Sequence, residues 1–311
     1  MNQRVGGKVE FEDGESDLLN ELNKKSFTKE MLSSDYYYIK IEKTTPELKN
    51  TILQDIKDKF NIQNSSVLDN INFDVYKNEN SYTIYSMLFK KFTFITPFDE
   101  LASSTFKKND KEITQNIVVN NSNDVQDNNI KYIKYFGINV GSNKNLYNNV
   151  DVLFYNNNSD FAVKLKTKEG DEVLLYRTNN SESFNELFNQ MQNKTNSYTE
   201  NKSFAKGDEL KVPYIDVDTI INYDELCGKE IKGTNGLYIV NALQNVKFNL
   251  NERGGNLISE ALTTDDYKNT PQRYFNFDNK FILFLKEENK ANPYFALKVD
   301  TTDILVKSEN N

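Results

Sequence analysis

The chain contains no histidine, no tryptophan, one cysteine and five prolines in 311 residues. The missing histidine is the most restrictive of these. It removes Ser-His-Asp and Cys-His catalysis, His-ligated zinc and the usual general base near neutral pH. The single cysteine, Cys227, excludes an intrachain disulfide and a multi-cysteine metal site. It reads as a small buried hydrophobe, since no imidazole exists to activate it. No run of about 18 apolar residues occurs, so no membrane-spanning helix is expected. Residues 1–7 lack the apolar core of a secretory signal, which leaves either a cytosolic chain or one whose signal has been removed. Positive charge is also short: 38 Lys and Arg stand against 46 Asp and Glu, for a net charge of −8. Without a concentrated cationic face, nucleic acid is not an expected partner. No cofactor or metal is implied, and a monomer is expected.

What the chain does have is aromatic mass, with 21 Phe and 18 Tyr in an Asn-rich background. That load of large apolar side chains argues for a packed core rather than disorder. Residues 36–41 alternate as a strand. Thr45 and Pro46 then offer a helix start, and Leu48, Ile52, Ile56 and Phe60 recur every four residues as one buried stripe. Strands are expected at residues 71–76 and 82–90, the second in a near-continuous apolar run that suits a central position. Further strands are expected at 132–138, 150–155, 161–167 and 172–176, the last two joined by a Gly-containing turn. Ser183 and Glu186 form a capping-box pattern opening a helix with Leu187, Phe188 and Met191 at helical spacing. A strand over 210–217 follows, then a short helical or irregular piece at 224–226. Strands outnumber helices without βαβ alternation. The fold class is therefore α+β with mostly antiparallel sheets, in one domain over 1–311.

The stretch from Leu237 to Val299 stands apart. It reads as one strand from Leu237 to Gly255, a polar connection between Gly254 and Tyr274, and then strands at 281–285 and 294–299. Connections longer than about 12–15 residues without structure of their own are uncommon and usually functional or disordered. This one reads as the working part.

The residues around it are similar to the C-terminal part of a serpin. The match consists of Asn251-Glu252-Arg253-Gly254, the long loop, Arg273-Tyr274-Phe275, and the closing strands from Phe281 and Tyr294. Leu88-Phe89-Lys90 followed by Pro97-Phe98-Asp99 resembles the family's strand-then-Pro-Phe segment, and Leu210–Tyr214 lies where the family has a strand with a proline. Residues 82–306 follow the family's order of elements, and residues 1–81 are a shortened or divergent N-terminal part. Departures are the absent tryptophan after the Phe-Lys segment, Ser86 where Asn is usual, and Gly255 where Thr or Ser is usual.

The resemblance implies a reactive-centre loop at 254–274, offered as bait to a target protease of the serine type. Its hinge falls at Glu252, Gly254 and Gly255. With Gly254 as the hinge glycine, Gly255, Leu257, Ser259 and Ala261 would face inward on insertion and Asn256, Ile258 and Glu260 outward. Counted forward from Glu252, the scissile bond falls at Lys268–Asn269, implying a trypsin-like target; counted back from Phe275, it falls near Asp266–Tyr267. A non-inhibitory serpin-like binding or surface protein is the alternative, suggested by the bulk of Asn256-Leu257-Ile258. A third reading is a carboxylate-based hydrolase using Asp216 and Asp218, which a strand would place on one face; two solvated surface acids are the plainer account of that pair.

Overall fold

The computed structural model describes residues 8–14, 16–24, 32–62, 73, 79–107, 132–255 and 272–308. In chain order these form α1 (Asp17–Lys24), β1 (Tyr37–Lys43), α2 (Leu48–Phe60), β2 (Ser81–Leu88), β3 (Phe92–Thr93), β4 (Asp99–Thr105), β5 (Tyr132–Ile138), β6 (Val150–Asn157), β7 (Asp160–Lys166) and β8 (Asp171–Arg177). Then come α3 (Phe184–Ser197), β9 (Glu209–Pro213), β10 (Ile215–Asn222), β11 (Tyr238–Asn251), β12 (Gly254–Gly255), β13 (Tyr274–Asn276), β14 (Phe281–Glu287) and β15 (Phe295–Val299). Few helices accompany three mostly antiparallel sheets, as the α+β reading requires. The expected strand at 71–76 lies outside the described residues apart from Phe73, which is buried. No helix among the described residues is long and apolar enough to cross a membrane.

Chain contacts gather into two compact units, the first made of Met1–Lys90 with Val217–Phe248, the second of Lys91–Asp216 with Asn249–Asn311. In the first unit β2 is central, antiparallel to β1 from Tyr37↔Leu88 to Lys43↔Tyr82. On its other side it runs parallel to β11, from Tyr238↔Ser81 to Val246↔Leu88, with one irregularity between Ile239 and Asn241. The strand expected from Leu237 is 14 residues long and ends at Asn251. The four-residue spacing in α2 does what it predicts: Leu48, Ile52, Ile56 and Phe60 form one buried face against Tyr85, Met87 and Leu243. The helix start differs from expectation. Thr45 and Pro46 make the preceding turn, with Leu48 N donating to Thr45 O at 3.1 Å, and Glu47 occupies the cap position without a side-chain hydrogen bond. A second cluster, with Val9, Phe11, Leu19, Leu226, Ile231, Ile239 and Ala242, ties the N-terminal segment to the residues before and within β11.

In the second unit a five-stranded sheet runs β15-β14-β8-β7-β6, antiparallel throughout. Helix α3 opens with the capping box formed by Ser183 and Glu186 and lays Leu187, Phe188 and Met191 onto Phe154, Tyr176, Ile282 and Phe284. A four-stranded sheet runs β13-β9-β5-β4, with only the β13–β9 pair parallel. The expected strand over 210–217 is divided, because β9 ends at Pro213 and β10 begins at Ile215. Tyr214 occupies the break.

Candidate functional site

The last residues of β11 lie in the second unit, and there the chain makes a two-residue turn at Glu252 and Arg253. Asn251 sets the turn locally: its side-chain oxygen accepts from Arg253 N at 2.9 Å, an Asx-type bond. The chain then returns as β12, pairing Gly255 with Leu250 and Gly254 with Asn251. The other edge of β12 pairs with β3, Gly254 with Thr93 and Gly255 with Phe92. The turn carbonyls are used as well: Phe94 N donates to Arg253 O and Phe98 N to Glu252 O, each at 2.9 Å.

Both glycines are required by close approach. Gly254 has φ +134°, and a Cβ there would sit 2.3 Å from the Phe92 carbonyl oxygen and 2.8 Å from Thr93 Cα. A Cβ on Gly255 would meet the Phe92 ring at 2.8 Å. Phe92, Phe94, Phe98 and Phe136 are all buried, with Phe94 edge-on to Phe98 at 4.8 Å and Tyr214 edge-on to Phe136 at 5.6 Å. This aromatic bed follows the Phe-Lys segment, where the family resemblance leads to a tryptophan.

Glu252 is 4% exposed. Its Oε2 accepts from the Tyr214 hydroxyl at 2.7 Å and its Oε1 from Arg253 Nε at 3.3 Å. Burial, and then the hydrogen bond to Glu252, push the Tyr214 phenol well above its ordinary range. Glu100 belongs to the same neighbourhood. Burial raises its pKa first and the Glu252 carboxylate adds to this, while Lys134 and Arg253 oppose. The corner thus holds a buried carboxylate fixed by a phenol and a guanidinium.

The far end of the connection is fixed differently. Arg273 makes a two-pronged ion pair with Asp208, Nε to Oδ1 at 3.1 Å and Nη2 to Oδ2 at 2.6 Å. It also donates to the carbonyls of Asn201 at 2.6 Å and Ser203 at 2.7 Å. Burial works against the charge on Arg273, but the hydrogen bond and charge of Asp208 outweigh it and raise the pKa. The Asp208 carboxylate also accepts from Ala205 N at 2.8 Å, so one acid orders its own loop and the start of β13.

Of the residues singled out in the sequence, Glu252, Gly254 and Gly255 come together in this corner. Lys268, Asn269, Asp266 and Tyr267, with the inward and outward series from 256 to 261, lie outside the described residues. Asp216 and Asp218 are both exposed on β10, and Asp218 is held by Lys247 at 2.9 Å. A cavity of about 360 Å³ is lined instead by Tyr155, Asn156, Lys194, Ser197, Tyr198, Thr199 and Glu200. The acid pair is therefore placed as a solvated strand face. Tyr214, Phe92 and Asp208 were not legible as functional. Their partners lie 38, 163 and 65 residues away in sequence, and no local pattern marks such pairings.

No protein-family model matches the chain, and no curated protein matches it significantly. Solved structures do. Serpin48 of the insect Tenebrio molitor superposes with TM-score 0.52 at 14% identity, over 86% of this chain and 75% of that one. Human glycosylated kallistatin gives TM-score 0.53 at 11% identity, over 83% of this chain and 64% of that one. The fold is serpin-like. The chain spans less than two thirds of the human protein, and at such identities the likeness is one of fold.

Proposed function

We propose that residues 1–311 form a single serpin-like domain that inhibits a serine-type, trypsin-like endopeptidase, presenting 254–274 as bait. One observation carries the reading: the chain leaving β11 turns at Glu252–Arg253 and at once takes up a strand position between β11 and β3. A segment continuing that way runs antiparallel to β11, and hence to β2, which is parallel to β11. Its entry replaces one parallel ladder by two antiparallel ones, which are slightly more stable per residue. Each additional backbone hydrogen bond contributes about 1 kcal/mol, so the form with the strand inserted lies lower in free energy.

Cleavage supplies the trigger. The serine oxygen of the protease attacks the carbonyl of Lys268, an ester forms, and the peptide bond breaks with Asn269 leaving as the free amine. Insertion of the hinge-side segment then draws the attached protease away before water completes hydrolysis. The chemistry is the protease's own, so the absence of histidine in this chain is no obstacle. Lys268 suits a specificity pocket bearing a carboxylate. Incubation with trypsin should give a covalent complex that survives SDS, and Lys268→Ala should abolish it. Clean cleavage with no complex would assign the loop to a serpin-like binding protein instead.

A further inference from the structure

The sequence departs from the serpin pattern at Gly255, where a hydroxyl residue is usual, and the structure supplies a physical reason. Gly255 lies directly opposite Phe92 across the β12–β3 pair. A Cβ built on Gly255 would stand 2.8 Å from Phe92 Cε1, 2.9 Å from Cζ and 3.3 Å from Cδ1. The ring thus occupies the place that a side chain at 255 would take. It has little freedom to leave. Phe92 is 1% exposed, and its ring stands edge-on to Phe94 at 6.3 Å, which is in turn seated on Phe98 and Phe136. Close-packed interiors accept added volume only by strain or backbone shift.

We infer that Phe92 is the positioning residue of the hinge: its ring, supplied from the neighbouring strand, fills the side-chain place at 255 and seats the backbone of β12 between β11 and β3. Volume that the family pattern puts on the hinge is here put on β3. Two features follow. The hinge can enter its strand position without burying a side chain of its own. The depth of that first step is also fixed, because Gly254 is held against the Phe92 carbonyl, at a distance no Cβ would tolerate, while Gly255 is held against the ring. The inference rests on the reading of 254–255 as the start of loop entry and gives that entry its structural determinant.

The test is a double-mutant cycle in the uncut protein, read by hydrogen exchange of the amides in 250–255, with the amides of Phe281–Leu285 as an internal control. Gly255→Ala alone should speed exchange at the hinge by roughly tenfold or more, with the control amides unchanged. Phe92→Leu makes room, so Phe92→Leu with Gly255→Ala should return the hinge amides to within about threefold of the Phe92→Leu protein. Additive effects, or equal loss of protection at hinge and control amides, would overturn the inference. Should Phe92→Leu fail to fold, Gly255→Ala alone decides, and hinge exchange unchanged from the parent would overturn it. None of these readouts needs a cleaved loop. Absence of any covalent complex with trypsin would therefore count against the inhibitory reading while leaving the seat of β12 to be judged on exchange alone.

Discussion

Glu252 and Arg273, on either side of residues 256–271, are held by different means. Glu252 is a buried carboxylate whose oxygens take donors from Tyr214 and Arg253. Arg273 is a guanidinium whose fork matches the Asp208 carboxylate. A hydrogen bond to a charged group contributes about 1.5–3 kcal/mol, so Tyr214→Phe should lower stability by that amount in urea unfolding. Asp208→Ala is the harsher change, because it leaves a largely buried cation without its counter-ion; about 3 kcal/mol should be lost. Asp208→Asn should be milder, and Arg273→Lys should not restore the parent value, since an ammonium cannot form the two-pronged pair. Equal stability of the Arg273→Lys and parent proteins would count against the clasp.

At the scale of elements, α2 and β1 meet through a small polar network beside the apolar stripe. Tyr38 donates to Asp55 at 2.6 Å and Lys40 pairs with the same oxygen at 3.1 Å. The Tyr38 hydrogen bond, chiefly, holds the Asp55 carboxyl below its ordinary pKa, with Lys40 adding to this against the cost of burial. A depressed folded pKa means that the unfolded chain binds the proton first. The stabilisation is thus present above the ordinary carboxylate pKa and is lost as pH falls through the folded value. Asp55 is partly exposed, so solvent screens the effect. Asp55→Asn should flatten the acid limb of stability between roughly pH 5 and 3 while changing little in slope above it. The apolar stripe matters more: Ile52→Ala, at a fully buried position, should cost about 2–5 kcal/mol. These elements were legible because their signals are local. The four-residue repeat in α2, the capping box of α3 and the Gly-containing turn joining β7 to β8 each follow from spacing alone. The start of α2 was misread because Thr45 and Pro46 also suit a turn. Strand β11 reads as one element from Leu237 onward, and its polar residues find partners, as when Thr83 takes a hydrogen bond from Asn241 at 3.1 Å.

For the whole molecule, the order of elements around the hinge carried the resemblance, and the fold agrees with it at 11–14% identity to solved structures. What sequence could not supply were the long-range meetings that define the corner: Tyr214 on Glu252, Phe92 under Gly255 and Asp208 on Arg273. Inhibition as proposed requires that a third strand enter between β2 and β11, which run parallel in the uncut chain. The melting temperature before and after a single cut by trypsin within residues 256–271 reads whether that entry occurs. Entry of even part of the loop adds several hydrogen bonds at about 1 kcal/mol each. The cut protein should therefore melt roughly 10 °C or more above the intact one. A cut protein that melts at or below the temperature of the intact chain would rule out strand entry.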